Sequence, residues 1–279
     1  MTVSVVTPSF NMALFLSETV DSVQANLEPG DEYFIIDGCS TDGSIDIIRR
    51  HENRLTGWVS EPDRGYADAL AKGFAQASGD ILCWINAGDV LLPGALVAAR
   101  QALARTGADM IFGDDFYIDE DSRVISFSRG YVHDIRRAML YGGWTPLQDA
   151  CFWRRSLYEK VGGINAGLRY AADYDLFLRM ALAGNPIYVP VAFSAFRRHR
   201  DQKSISGSAQ YRRERLAVRR RELRRSPDTP LRKLLGRVVQ AVAVRWRERI
   251  SRRSWSRLDL AGRPLSEFRC ASYWPSGTG

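Results

Sequence analysis

Three short polar segments each follow an apolar run, and their side chains suit a nucleotide and a metal ion. Asp37 follows Tyr33–Ile36 in a glycine-rich turn, where its carboxylate can accept a hydrogen bond from a nucleobase or a ribose hydroxyl. Asp89 closes the segment Asn86–Asp89, and such an oxygen ligand suits a hard divalent ion beside a diphosphate. Taken alone, the segment Pro8–Asn11 would be interpreted as a turn broken by proline, but it too directly follows an apolar run.

Three further residues could complete a site for group transfer. Arg64 lies where a loop enters a helix, which is a suitable position for a cation that contacts phosphate. Asp173 lies at the start of the helical segment Tyr174–Ala183, where it can act as a general base for a hydroxyl or as a helix N-cap. His199 lies in a cationic segment, where it contacts a diphosphate or metal ion or is simply structural.

Several protein classes are disfavoured by what the sequence lacks. Neither a G-x-G-x-x-G fingerprint nor a Walker A loop follows the first apolar run, which weakens dehydrogenase and P-loop NTPase interpretations. The four cysteines are widely spaced and form no C-x-x-C pair, so reduced thiols in a cytosolic protein are expected. No secretory leader and no apolar run of about 18 residues is evident.

The elements that must position these residues alternate between strand and helix as far as about Asp115. This alternation predicts βαβ units, a mostly parallel Rossmann-like sheet, and ligands beyond the carboxyl ends of its strands. The predicted strands are Val3–Thr7, Tyr33–Ile36, Gly57–Ser60, Ile81–Ile85 and Met110–Gly113. The predicted helices between them are Leu14–Gln24, Ile45–Arg50, Tyr66–Ala77 and Pro93–Arg105.

The pattern after Asp115 is less regular, and prolines at positions 227 and 230 mark a break. We therefore divide the chain into a catalytic domain, residues 1–226, and a basic helical extension with a tail, residues 227–279. In the second half of the domain we expect strands at Val124–Ser128, Ala150–Trp153, Ile187–Val189 and Ala192–Arg197. The expected helices are Ser156–Val161, Tyr174–Ala183 and Ser208–Arg225.

Charge is divided unevenly along the chain. The formal net charge is +7, but the part from Arg197 onward carries 23 Lys and Arg against 7 Asp and Glu. A helix predicted at Leu231–Ile250 has an apolar stripe flanked by arginines, so it either packs on the domain or lies on an anionic membrane surface. Nucleic acid is not expected as a partner, because the first 196 residues are net acidic. The stripe comprises Leu231, Leu234, Leu235, Val238, Val239, Val242 and Trp246.

Taken together, the motifs resemble glycosyltransferase family two, whose members have the GT-A fold. The resemblance extends from about Val3 to His199 and rests on the order and spacing of several individually weak segments. These are the T-P-S-F-N opening, the D-G-x-S-x-D-G turn, the D-x-G…A-x-x-x-G helix, an acidic motif ending at Asp89, the A-D-x-x-L-x-x-R segment around Asp173 and an R-x-H element.

The resemblance implies an inverting transfer from a nucleotide-diphosphate sugar, foremost a UDP-sugar, to a saccharide or lipid-linked hydroxyl acceptor. It implies Mg²⁺ or Mn²⁺ as cofactor, held by Asp89 with His199, and Asp173 as the base. Residues 1–115 would bind the donor and residues 116–226 the acceptor, in surface polysaccharide, lipopolysaccharide or glycolipid synthesis at the inner face of the cell membrane. The implied donor-binding residues are Pro8, Ser9, Phe10, Asn11, Asp37, Arg64, Asn86 and Asp89.

Two departures from the family pattern concern the metal and the base. Members commonly have D-x-D-D where this chain has Asn86-Ala87-Gly88-Asp89, so two of three carboxylates are missing. Ala172 replaces the glutamate that commonly precedes the base. Two alternatives therefore stay open, namely a non-catalytic nucleotide-sugar-binding protein and a nucleotidyltransferase, although the latter lacks its expected glycine-rich basic loop.

Overall fold

The computed structural model describes residues 1–199, 207–228, 235–236, 238–239, 242 and 260–271. Within these ranges nine strands form one sheet in the order β3-β2-β1-β4-β8-β6-β9-β5, with β7 paired to β6. The strands are β1 Val3–Ser9, β2 Glu32–Asp37, β3 Gly57–Ser60, β4 Ile81–Trp84, β5 Val90–Leu91, β6 Met110–Ile118, β7 Val124–Ser128, β8 Cys151–Arg154 and β9 Pro186–Arg197.

Helices connect the strands and cover both faces of the sheet. They are α1 Ala13–Gln24, α2 Ser44–His51, α3 Tyr66–Gln76, α4 Ala95–Thr106, α5 Ile135–Arg137, α6 Arg155–Lys160, α7 Ala172–Ala183 and α8 Ser208–Arg225. A π-helical turn, Ala138–Gly142, follows α5 directly. Helix α8 has the bounds expected from the sequence.

The first four strands in spatial order form the parallel half of the sheet, as the alternation predicts. Strand β1 pairs with both β2 and β4, and β2 pairs with β3, all in parallel. Because their carboxyl ends lie at one edge, the segments that follow β1, β2 and β4 meet there. The expected binding segments are thereby brought together at this edge.

The other half of the sheet mixes both directions. Strand β8 runs antiparallel to β4 and β6, whereas β9 runs parallel to β6. The two strands expected at residues 187–189 and 192–197 are one strand, β9, whose register against β6 shifts near Asp114. A two-residue strand, β5, pairs with β9 directly after Asp89 and was not expected from the sequence.

Two apolar clusters hold the helices on the sheet. On one face α1, α2 and α4 contribute buried residues such as Leu16, Ile48 and Leu103. On the other face α3, α6, α7 and α8 contribute theirs, among them Phe74. Helix α3 lies very close to β1, since a Cβ at Gly73 would be 2.4 Å from the Cγ1 atom of Val6.

Residues 260–271 are part of this core, which corrects the assignment of everything after residue 226 to a separate extension. Leu260, Leu265 and Phe268 are buried in a third cluster against β5, β6, β7 and β9. Backbone hydrogen bonds join Leu265 to Ser122 and Ala192 to Ala271, among others. The sequence of the last segment, Leu258–Gly279, which is rich in Gly, Pro and Ser, gave no sign of this packing.

The expected helix at 231–250 lies mostly outside the described residues, but positions 235, 236, 238, 239 and 242 are helical. A Cβ at Gly236 would lie 3.0 Å from the Tyr141 ring, so this side contacts the domain. Four residues at spacings of three and four are instead more than half exposed: Leu235, Val238, Val239 and Val242. None of the helices in the described ranges is long and apolar enough to cross a bilayer.

Candidate active site

A cleft of about 1210 Å³ opens at the carboxyl edge of β1 and β4. It is lined by the loops after these strands, the start of α3, the start of α7 and one face of α8. Asp37 is absent from its walls. The remaining site residues expected from the sequence all line it, namely Pro8, Ser9, Phe10, Asn11, Arg64, Asn86, Asp89, Asp173 and His199.

Asp37 is the one expected donor-binding residue that does not line the cleft. Its side chain is fully buried at the end of β2. Its carboxylate accepts hydrogen bonds from the Ser40 backbone N–H at 2.8 Å, the Ser40 hydroxyl at 2.5 Å and the Ser60 hydroxyl at 2.8 Å. A carboxylate with this many donors inside the protein stabilises the turn instead of facing a ligand.

The turn that Asp37 stabilises also holds the loop after β1 in place. The Asn11 backbone N–H donates to the Ser40 hydroxyl at 2.8 Å, and the Asn11 side chain accepts from the Thr41 N–H at 2.9 Å. Asn11 has a φ of 50°, a left-handed conformation that asparagine tolerates better than most residues. Asp42 links the same elements, because it accepts hydrogen bonds from the N–H groups of Ala13 and Ser44.

Phe10, Gly38 and Asp63 lie together at one end of the cleft, and we call this end the slot. Phe10 is 51% exposed. A Cβ at Gly38 would lie 2.7 Å from Asp63 Oδ2 and 3.2 Å from the Phe10 ring, so Gly38 packs directly against both side chains and a larger residue would displace them. Asp63 Oδ1 accepts the Gly65 N–H at 2.7 Å, which orients the carboxylate. This slot offers an aromatic face and a carboxylate to a flat ligand.

Arg64 lies beside this slot with most of its side chain in solvent. Its guanidinium is 2.7 Å from Asp68 Oδ1, and the Arg64 backbone N–H also donates to Asp68. The Asp68 carboxylate raises the pKa of the guanidinium further, so the cation is permanent. Asp68 also lies 3.9 Å from Lys72, and this pair has the helix-surface geometry expected from its spacing.

Asp89 is buried at the end of the loop after β4. Its Oδ1 accepts the Arg197 backbone N–H at 3.0 Å, and its Oδ2 accepts the Asn86 amide at 3.1 Å. The Asn86 amide also donates to Gln148 Oε1 at 2.6 Å. Burial, and then the nearby carboxylate of Asp149, raise the pKa of Asp89 well above its ordinary value. A cation next to Asp89 would therefore be electrostatically favourable.

The donor set for a metal ion is small. Within the part of the chain that the structure describes, no three His, Cys, Asp or Glu side chains are grouped to hold a metal ion. Asp89 and His199 line the same cleft, with the His199 ring packed against Phe15 at a centroid distance of 5.4 Å. One oxygen and one nitrogen ligand fit a metal that takes its other ligands from a bound diphosphate and water.

Arg197 fixes the Asp89 loop in place. Its side chain is 1% exposed, and its Nε donates to the Gly88 carbonyl at 2.8 Å. A second guanidinium nitrogen lies 2.5 Å from Glu18 on α1. The sequence drew attention to this segment through His199, whereas Arg197 turns out to join the loop after β4 to α1.

Asp173 lies in the first turn of α7, on the wall of the cleft. The N-cap is Ala171, so Asp173 does not act as the cap. Its Oδ1 is out of contact with solvent and accepts no hydrogen bond from the described residues. Burial raises the pKa of Asp173 to about 6, despite the opposing effect of Arg215. A carboxylate with this pKa is ionised at neutral pH and basic enough to take up a proton.

Tyr66 positions the start of α7. Its hydroxyl donates to the Tyr170 carbonyl and accepts the Ala172 N–H, both at 3.0 Å. Asp175, by contrast, is buried and pairs with Arg179 at 2.6 Å and Arg221 at 2.5 Å. This confirms the structural role expected for the Asp175–Arg179 pair and leaves Asp173 as the carboxylate of this helix that faces the cleft.

The comparison with protein families agrees with this arrangement. The model of glycosyl transferase family 2 matches residues 4–162, more than half of the chain. The chain belongs to this family. It is therefore a glycosyltransferase, which removes the nucleotidyltransferase alternative.

Curated relatives of this glycosyltransferase come from mycobacteria, among others. An uncharacterized glycosyltransferase of Mycobacterium tuberculosis is 34% identical over 217 residues, which is 74% of this chain and 80% of that protein. A PGL/p-HBAD biosynthesis glycosyltransferase of the same species is 27% identical over 181 residues, 63% of this chain and 68% of that protein.

Solved glycosyltransferase structures share the fold, which is GT-A as expected. S. aureus TarS 1–349 in complex with UDP-GlcNAc has a TM-score of 0.64 at 15% identity, covering 85% of this chain and 70% of that one. The chain spans 41% of a longer TarS chain. A Pyrobaculum calidifontis mannosyltransferase in complex with GDP-Man and Mn²⁺ has a TM-score of 0.59 at 20% identity, covering 90% and 73%.

Several residues that line the cleft of this glycosyltransferase were missed from the sequence. Gln148 orients Asn86, and Asp63 takes the place at the slot that was expected for Asp37. The face of α8 that meets the cleft was also missed, because a helix with arginines on every side shows no pattern that separates a buried face from a solvated one. The residues on that face are Ser208, Tyr211, Arg212 and Arg215.

Proposed function

We propose that this glycosyltransferase transfers a sugar with inversion from a nucleotide-diphosphate sugar to a hydroxyl group of a saccharide or lipid-linked acceptor. The observation that carries the proposal is Asp173, a carboxylate with a raised pKa in the same cleft as the loop after β1. One cleft thus contains both a place for a nucleotide and a base for an acceptor.

In the proposed reaction Asp173 accepts the proton of the acceptor hydroxyl as its oxygen attacks the anomeric carbon. The new carbon–oxygen bond forms on the face opposite the leaving group, and the bond between the anomeric carbon and the diphosphate oxygen breaks. The electron pair of that bond leaves with the nucleoside diphosphate. Attack from the opposite face inverts the configuration, and Asp173 ends the step protonated.

The donor is proposed to place its nucleobase in the slot, on the exposed face of Phe10 and beside Asp63. Stacking on Phe10 and a hydrogen bond to Asp63 Oδ2 suit a base with an imide N–H, so we favour a UDP-sugar. The complex of TarS with UDP-GlcNAc supports this choice, although the mannosyltransferase neighbour binds GDP-Man. Arg64 lines the same cleft, and we propose that it contacts the donor phosphates.

We assign Mg²⁺ or Mn²⁺ to Asp89 and His199, with the Mn²⁺ complex of the mannosyltransferase as support. When bound, the ion would offset negative charge on the diphosphate as it leaves. We expect EDTA to abolish transfer and Asp89→Asn to weaken it strongly. Normal turnover of the wild-type protein in EDTA would exclude this assignment.

The test of the proposed function is Asp173→Asn. The amide is nearly isosteric but cannot accept the proton, so we expect turnover to fall by about 10²- to 10⁴-fold. Calorimetric affinity for UDP should stay within about twofold, because the nucleotide slot is built from other residues. Unchanged turnover in Asp173→Asn would rule out this base.

The pH dependence gives a second measurement on the wild-type protein. Because only the ionised form of Asp173 can act as a base, kcat/KM should fall about tenfold per unit below a pH of about 6. It should level off above that pH. A rate that stays constant down to pH 4.5 would contradict the assignment of Asp173.

For its cellular setting we propose a cytoplasmic enzyme bound peripherally to the inner face of an anionic membrane. The exposed stripe Leu235, Val238, Val239 and Val242 supports this, together with the surrounding arginines of the sequence. Synthesis of a surface polysaccharide, lipopolysaccharide or glycolipid would place the acceptor at that surface. The relative named for PGL/p-HBAD biosynthesis is consistent with this setting.

A further inference from the structure

Helix α8 forms one wall of the cleft with a single face. The four residues that line the cleft, Ser208, Tyr211, Arg212 and Arg215, have the spacing i, i+3, i+4 and i+7. We call them the cleft face of α8. This face lies next to the base, because Tyr211 and Arg215 both interact electrostatically with Asp173.

Contacts on either side of the cleft face hold α8 in position. Glu214 accepts the backbone N–H groups of Tyr170 and Ala171, both at 2.9 Å, directly before α7, whose first turn contains Asp173. Arg215 donates to the Gly143 carbonyl at 2.9 Å, and Arg219 donates to the Tyr141 carbonyl at 2.5 Å. Helix α8, and with it the cleft face, therefore has a fixed place relative to the base.

Part of the positive charge at this wall has no carboxylate partner in the described part of the chain. Among the residues that the structure describes, Arg169 and Arg212 have neither an ion pair nor a side-chain hydrogen bond, and Arg215 Nε has no acceptor. Arg64 and Arg197, which also line the cleft, are by contrast paired with Asp68 and Glu18. Three guanidinium groups thus line the cleft that also contains Asp173.

We propose that Arg169, Arg212 and Arg215 bind an acidic group of the acceptor, a phosphate or a carboxylate, close to the hydroxyl that Asp173 deprotonates. The proposal rests on the proposed function and specifies its acceptor class. Guanidinium groups suit both acids, since they donate two parallel hydrogen bonds to a pair of oxygens. Arg169 and Arg212 are exposed and Arg215 is half-buried, so an acidic group that enters the cleft can reach all three guanidinium groups.

The experiment uses the full chain saturated with UDP and Mn²⁺, so that the donor site is filled. Glycerol 3-phosphate, glycerate and glycerol are titrated by calorimetry as probes that share hydroxyl groups and differ in the acid. The variants are Arg212→Gln and Arg169→Gln. Arg213→Gln is the matched control, because Arg213 is the next residue of the same helix, is exposed, and does not line the cleft.

We expect at least one of the two acids to bind and glycerol not to bind. The acid that binds more tightly identifies the acidic group of the acceptor. Arg212→Gln and Arg169→Gln should each weaken that binding about tenfold, whereas Arg213→Gln should leave it unchanged. Affinity for UDP alone should be the same in all three variants.

Three results would overturn the proposal. The first is a loss of UDP affinity in Arg212→Gln, which would assign the cations to the donor. The second is an equal loss of acid binding in Arg213→Gln. The third is that neither acid binds. None of these results bears on the base, since turnover of Asp173→Asn is measured separately. The acceptor class and the proposed function can therefore fail independently.

Discussion

At the level of single residues, two carboxylates near the nucleotide slot differ in what they can do. Asp37 is buried and fully hydrogen-bonded to its own turn. Asp63 is half-buried in the cleft wall and keeps Oδ2 directed toward Gly38. The sequence favours Asp37, because it directly follows a strand, but position along the chain does not tell which way a side chain turns.

We therefore expect Asp63→Ala and Asp37→Ala to fail in different ways. Asp63→Ala should weaken UDP binding by about 1–3 kcal/mol with little change in melting temperature, because it removes a charged acceptor from the slot. Asp37→Ala should lower the melting temperature instead, because Ser40 and Ser60 lose the acceptor of their buried donors. Calorimetry and thermal unfolding of both variants provide the comparison. Unchanged UDP affinity in Asp63→Ala would mean that another residue binds the nucleobase.

Gly38 offers an independent check of the same slot. An added methyl group would lie 2.7 Å from Asp63 Oδ2 and 3.2 Å from the Phe10 ring, so it would displace both side chains that are assigned to the nucleobase. Gly38→Ala should therefore raise the dissociation constant of UDP about tenfold or more, as expected when a bulkier group narrows a well-packed site. Wild-type affinity in this variant, measured by calorimetry, would mean that the base binds elsewhere.

At the level of elements, β6 delivers a carboxylate into the interior. Asp115 on β6 is fully buried, accepts the Ser194 hydroxyl of β9 at 3.0 Å, and is in hydrogen-bonding contact with the carboxyl group of Asp149. Burial, then the carboxylates of Asp149 and Asp89, raise its pKa well above the ordinary value. The folded chain thus keeps a proton on Asp115 that the unfolded chain releases, which lowers stability as the pH rises above about 4.

Asp115→Asn should therefore stabilise the protein at pH 7.5 and not below pH 4. The amide keeps an oxygen for Ser194 and never ionises, so we expect a gain of about 2–4 °C in melting temperature at pH 7.5, corresponding to roughly 1 kcal/mol. The gain should disappear where both states are protonated. Asp121→Asn, at an exposed position, is the control and should change nothing. A loss of stability at pH 7.5 would show that the charge itself is needed in the fold.

The elements also show where sequence patterns suffice. Strands in the parallel half and helix α8 could be predicted to within a few residues, because apolar runs and charged helices have strong local signals. Strand β5 has two residues and exists only through pairing with β9, so no local pattern reveals it. In the same way, the cleft face of α8 is selected by packing and not by periodicity, since arginines occur all around this helix.

For the molecule as a whole, the exposed stripe leads to a prediction about membranes. Val239→Glu with Val242→Glu should reduce binding to vesicles containing anionic lipid by at least about tenfold, because apolar burial is lost and charge repulsion added. Leu182→Glu, at a 41% exposed position on α7, is the control and should bind normally. Vesicle flotation measures this directly. Equal binding by the double variant would exclude the stripe as the contact surface.

The packing of residues 260–271 has a consequence for how the protein is made. Leu260, Leu265 and Phe268 complete a cluster with Phe116 and Phe127, yet they leave the ribosome more than 100 residues after β6 and β7. Residues 1–115 can begin to fold during synthesis, whereas this cluster cannot close until residues 260–268 have been translated. A nascent chain halted before residue 260 presents an uncovered apolar surface, which chaperones and proteases recognise. Translation through residues 260–268 is thus a condition for the stability of this cluster.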